Sequence, residues 1–138
     1  MLAKGVIGVA YETLIDGGMI PLLKPMSEIA GRMSIQQGAK CLEKPMGGSG
    51  MVLAGVPGTP KAKVVILGAG TVGTNACKLA VGMGADVTII DINLAKLTYL
   101  DDLYGARIQT LYSTDSVIEK EMSEADLVIG SVLIPGKK

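Results

Sequence analysis

Three glycines in the stretch VVILGAGTVGTNA, namely Gly68, Gly70 and Gly73, have the spacing G-x-G-x-x-G. An acid, Asp91, stands eighteen residues after the last of them. Each glycine has a chemical use. Gly68 permits a tight turn out of a strand, Gly70 leaves bare backbone for a diphosphate to approach, and Gly73 lets the next helix pack close to the strand. Amides from Thr71 and Val72 onward then face the phosphates, aided by the positive end of the helix dipole. A carboxylate about 20 residues on accepts hydrogen bonds from the ribose hydroxyls, and it repels a 2′-phosphate of like charge. The pattern therefore points to NAD rather than NADP. Lys96 leaves two readings open: a cation beside the adenosine, which complicates that choice, or a solvated helix lysine. A Rossmann-like turn that is glycine-rich without binding anything is the plainer alternative for the whole motif.

The chain must supply elements that hold these residues in register. KVVILG is a continuous apolar strand leading into the glycines, and DVTIID is a second strand that delivers Asp91. Between them Val72, Ala76, Leu79, Ala80 and Met83 form one helical stripe ended by Gly84. A second helix carries Leu97, Leu100 and Tyr104, with Asn93 as N-cap and Gly105 as stop. RIQTLY is a third strand, a short helix with Val117, Ile118 and Met122 follows Thr114, and DLVIGSVLI is a fourth strand. This alternation predicts an α/β fold, a Rossmann-type parallel sheet of about four strands with right-handed crossovers. A complete dinucleotide fold has two such halves. The second would here be incomplete, leaving a sheet edge for a partner chain or further sequence to cover.

Ahead of this unit, GVIGVAY (Gly5 to Tyr11) reads as a strand and Met26 to Glu43 as a helix with a Met26, Ile29, Ala30, Met33 stripe. The small residues Ala30, Gly31, Gly38 and Ala39 would admit another backbone closely. The expected division is an interdomain strand and connecting helix over 1–43, a Gly/Pro-rich connection over 44–61, and an NAD-binding domain over 62–138 that stops after its fourth strand.

Composition excludes other classes. With 138 residues, 49% of them apolar and only 3% aromatic, the chain suits a sheet buried on both faces. It lacks the stacking platforms and basic face of a nucleic-acid binder. Thirteen basic residues balance thirteen acidic ones, so nothing directs it to a polyanion or an anionic membrane. No run is long enough to span a bilayer and no secretory signal opens the chain. Cys41 and Cys77 lack metal-site spacing and read as free thiols of a cytoplasmic protein, packed as small core hydrophobes. Histidine is absent. Asp101 and Asp102, and the run Glu119–Lys120–Glu121, read as solvated helix faces, so no catalytic acid–base pair is assigned.

The segment from Pro21 to Gly105, with its phrases PMSEIAGR, LEKPMGG and DINLAKLTYLDD, followed by YSTDS and ADLVIGSVLIPG, resembles the central part of the alanine dehydrogenases. These belong with the pyridine nucleotide transhydrogenases in one family. The resemblance implies a cytoplasmic oxidoreductase of L-alanine catabolism. It interconverts L-alanine with pyruvate and ammonia using NAD and forms hexamers. It places Gly68, Gly70, Thr71, Val72 and Gly73 on the diphosphate loop, Asp91 on the ribose acid and Lys96 beside it. Ser27 falls on a cofactor contact, or serves as a helix N-cap. Ser113 falls near the adenine end, or caps the helix at Thr114. Val132 and Leu133 fall at the nicotinamide ribose, or are plain sheet core. The family's catalytic lysine, histidine, aspartate and substrate-binding arginine have no counterpart here. The chain thus reads as a central fragment that binds cofactor and turns nothing over. A transhydrogenase domain, or a non-catalytic NAD-binding or assembly module, are the alternatives.

Overall fold

The computed structural model describes residues 2–132. Four parallel strands, β1 (Lys63–Leu67), β2 (Asp86–Asp91), β3 (Ile108–Tyr112) and β4 (Leu127–Gly130), lie in the order β3-β2-β1-β4. Helix α2 (Thr71–Gly82) joins β1 to β2, α3 (Leu94–Tyr104) joins β2 to β3, and α4 (Asp115–Ser123) joins β3 to β4. This is the parallel α/β arrangement expected of the alternation. The two central strands carry unbroken buried runs, Val64–Ile66 and Val87–Ile90, because both faces of the sheet are covered. Leucines 97 and 100 of α3 and Ala76, Cys77 and Ala80 of α2 complete the core.

The local signals at the helix ends hold. The Asn93 side chain accepts a hydrogen bond from the Lys96 amide, and Thr114 accepts one from the Val117 amide. Gly84 and Gly105 take positive φ values of 79° and 53° where their helices stop.

Helix α1 spans Lys24–Cys41, two residues earlier at each end than expected. It packs on α2 and over β4, but not by the anticipated stripe. Met26, Ile29 and Met33 are exposed, while Gly31, Ile35 and Gly38 are buried. Backbone contact explains the inversion. A Cβ at Gly31 would overlap the Val72 carbonyl oxygen, and one at Gly38 would meet Leu127. Only the small-residue face lets the helices approach this closely, and Arg32 Nε donates across the seam to Asn75 Oδ1 at 3.1 Å.

Three further expectations are corrected. Gly5–Tyr11 forms no strand: its backbone has no ladder partner and Ile7 is 92% exposed, so nothing holds it in a sheet. Cys41 is exposed at the end of α1. Cys77 alone is a core thiol, and burial pushes its pKa up to about 11. Glu121 is not solvated. It is 4% exposed and pairs with Lys63 Nζ at 3.0 Å, while Glu124 reaches the same ammonium at 2.6 Å. The cluster ties α4 to the start of β1, opposite the glycine turn.

Hydrogen bonding to Glu124, then to Glu121, holds the Lys63 pKa above its ordinary 10.5 although burial opposes this. A raised lysine pKa stabilises the fold below about pH 10.5, and that contribution is lost as the pH climbs through the folded value. Replacing Lys63 by Met leaves Glu121 buried without its counter-charge. The expected cost is about 1.5 kcal/mol, between that of a surface pair and a fully buried one. Urea unfolding should show this difference at neutral pH and show it vanish in strong alkali.

Candidate functional site

The strand order changes direction between β1 and β4, and the carboxyl ends of an open parallel sheet form a crevice at such a switch point. A cleft of about 950 Å³ lies there. Its floor is the glycine turn. Gly68 adopts φ 101°, a conformation side chains rarely take, and turns the chain away from β1. Gly70 faces open space, so nothing obstructs a ligand approaching its backbone. Gly73 sits behind the turn, where a Cβ would overlap the Gly68 carbonyl oxygen and come within 2.7 Å of Ser131 Oγ. Helix α2 begins at Thr71 with no side-chain cap. The amides of Thr71, Val72 and Gly73 precede the bond from the Thr74 amide to the Gly70 carbonyl, so they are not used within the helix. Uncapped donors at a helix start, opening on a cleft, suit an anion.

Asp91 ends β2 at the rim of this cleft. Its Oδ2 accepts from the Ala69 amide at 2.5 Å and its Oδ1 from the Asn93 amide at 2.7 Å. Partial burial works to raise its pKa. The amides of Ala69 and Asn93, the Lys96 charge and the Ile92 amide outweigh this and hold the carboxyl below its ordinary 3.8. The group is therefore ionised at neutral pH, with lone pairs left over for a diol.

Of the residues selected from sequence, Ser27, Gly68, Gly70, Thr71, Val72, Asp91, Lys96 and Val132 all line the cleft. Gly73 supports it from behind. Ser113 is not on its wall; its amide donates to the Asp91 carbonyl, placing it one step away. Leu133 lies outside the described residues. Three of the alternative roles fail. Ser27 is inside α1, whose N-cap is Leu23, and the cap of α4 is Thr114 rather than Ser113. Val132 is 65% exposed just past β4, so it is not sheet core.

Sequence reasoning missed part of the lining. Met19, Ile20, Pro21, Leu23 and Lys24 line the same cleft as the glycines. This stretch lies between the expected strand and the expected helix, where no element was assigned, and its Asp16–Met19 bridge closes a turn. Its apolar composition was the available signal. Ile92 and Ser131 were missed as well. The Ser131 hydroxyl lies 2.7 Å from the Leu67 carbonyl oxygen and 2.9 Å from that of Gly68, bracing the turn from β4.

Among the described residues no helix is long and apolar enough to cross a membrane. Residues 34–138 match the sequence model of the family described as "Alanine dehydrogenase/PNT, C-terminal domain". The chain is 58% identical over 135 residues to alanine dehydrogenase of Bacillus subtilis (strain 168), covering 98% of this chain and 36% of that protein. It is 58% identical over 139 residues to the Geobacillus stearothermophilus alanine dehydrogenase, covering all of this chain and 37% of that one. It thus spans little more than a third of the length of these relatives. A solved L-alanine dehydrogenase superposes with TM-score 0.89 at 54% identity, over 94% of this chain and 36% of that one. The transhydrogenase from Sinorhizobium meliloti shares the fold, with TM-score 0.66 at 24% identity over 83% of this chain and 32% of that one. With its glycine turn, rim aspartate and cleft in the geometry described, the chain belongs to the alanine dehydrogenase/PNT family.

Proposed function

We propose that this chain is the NAD-binding part of an L-alanine dehydrogenase, the enzyme that reversibly converts L-alanine to pyruvate and ammonia. The observation that carries this reading is the convergence of eight sequence-selected residues on one cleft at the sheet's switch point. The diphosphate lies against the open backbone of Gly70 and takes the amides of Thr71 and Val72, the adenosine ribose takes Asp91, and Lys96 lies beside it. Ser27 is a further cofactor contact, and Val132 meets the nicotinamide ribose. Ser113 acts from behind Asp91. The nicotinamide cofactor supplies the hydride chemistry, while the chain's own residues bind and orient it. Identities of 54–58% to alanine dehydrogenases favour that activity over the transhydrogenase at 24%. Residues 62–138 form the cofactor domain in this reading. The chain alone turns nothing over, the whole enzyme is a cytoplasmic hexamer, and NAD is preferred because Asp91 repels a 2′-phosphate.

Calorimetric titration with NAD and NADP tests the reading. NAD is expected to bind and NADP to bind more weakly. Asp91→Ala should cost about 1.5–3 kcal/mol of NAD affinity, the value of a hydrogen-bonded charged group. Unchanged NAD affinity in that variant removes Asp91 from the site.

A further inference from the structure

The Asp91 carboxylate is already engaged before any ribose arrives. Its Oδ2 accepts the Ala69 amide at 2.5 Å, and Ala69 is only 4% exposed. A buried amide needs a partner, and this one belongs to the residue between the first two glycines of the turn. The neighbouring groups are fixed from elsewhere. The Gly68 amide donates to the Ile90 carbonyl at 2.7 Å, the Ser131 hydroxyl holds the Leu67 and Gly68 carbonyls, and the Gly70 carbonyl accepts from Thr74. At the Ala69 amide the hold on the turn comes from β2 through the acid.

We infer that Asp91 is also the positioning residue of the glycine turn: by fixing the Ala69 amide it presets the Gly70–Val72 backbone for a nucleoside diphosphate, independently of its grip on the ribose. This rests on the cofactor-binding reading above and deepens it. Each carboxylate oxygen has a second lone-pair direction, so holding the turn and accepting a sugar hydroxyl are compatible. The two roles predict opposite signs for a ligand without the diol. If Asp91 served the ribose alone, its removal would leave such a ligand unaffected, or strengthen binding by deleting a negative charge near the phosphates. If it presets the turn, removal frees the buried amide and weakens diphosphate binding.

The experiment compares 2′,3′-dideoxyadenosine diphosphate with 2′,3′-dideoxyadenosine, using the 138-residue chain and its Asp91→Ala variant. Calorimetry reads the diphosphate and ligand-induced amide shifts read the weaker nucleoside. The expected result is an affinity for the dideoxy diphosphate about tenfold lower in the variant, the effect of one hydrogen bond. Binding of the phosphate-free nucleoside should be unchanged, which a general loosening of the fold would not allow. Asp91→Asn retains one carbonyl acceptor and fills the same space. It is expected to lose affinity for the dideoxy diphosphate by a smaller factor, and it supplies the comparison if the alanine variant does not fold. Affinity for the dideoxy diphosphate at or above the wild-type level in the folded variant overturns the positioning role while leaving the ribose contact standing. Absence of binding of ordinary adenosine diphosphate to the wild-type chain overturns the cofactor reading, and this inference with it.

Discussion

Gly73→Ala is expected to lower the thermal midpoint by on the order of 10 °C and to abolish measurable NAD binding. The cause is steric. An added Cβ would occupy the space of the Gly68 carbonyl oxygen and come within 2.7 Å of Ser131 Oγ. The carbonyl belongs to the turn itself and the hydroxyl is tied to two backbone oxygens, so neither can yield cheaply. Overpacking of this kind costs about 3 kcal/mol, which in a chain of this size gives the stated shift in midpoint. The binding effect follows from the direction of relief. Helix α2 must move away from β1, carrying the amides of Thr71 and Val72 off the position where a diphosphate would meet them. Differential scanning calorimetry and NAD titration of the same preparation read both effects. A variant with wild-type midpoint and affinity would show that α2 is not seated on the turn as described.

The parts of this arrangement that the sequence makes legible are those decided locally. Strands buried on both faces appear as apolar runs, so VVIL and VTII could be placed at once. Asn93, Thr114, Gly84 and Gly105 mark helix ends through their own hydrogen bonds or φ angles. The G-x-G-x-x-G turn and Asp91 were readable because the motif requires a strand before it, a helix after it and an acid one strand away. What could not be read depends on distant partners. Met26, Ile29 and Met33 look like a core stripe by hydropathy, and only the approach of the α2 backbone makes glycine the better buried residue. Glu121 looks solvated within its charged run. Its burial is permitted by Lys63, which lies 58 positions earlier in the chain. The lining supplied by Met19, Ile20, Pro21 and Leu23 belongs to a segment outside the helices and the sheet, whose place at the cleft no period in the sequence encodes.

Helix α1 supplies the sharpest remaining test, because the same substitution should act with opposite sign at two helical glycines. Alanine in place of glycine inside a helix gains up to about 1 kcal/mol from backbone entropy when the methyl group meets nothing. At Gly82, in the last turn of α2, a Cβ meets no atom within 4 Å, so Gly82→Ala is expected to stabilise by about 0.5 kcal/mol. At Gly31 it would overlap the Val72 carbonyl oxygen and lie 2.9 Å from the Asn75 Cβ. The entropy gain is still present there, but the overlap is with backbone, and relief requires α1 to lift off α2. That lift uncovers Ile35, now 0% exposed, and breaks the Arg32–Asn75 hydrogen bond. The expected net loss is about 2–3 kcal/mol, measured as a lower urea midpoint. Residue 31 precedes the segment matched by the family model, which starts at 34, so the pair also asks whether the start of α1 is integral to the cofactor unit. A stabilising effect at both glycines would mean that α1 does not rest on α2, and the cleft wall that continues from its first turn would lose its anchor.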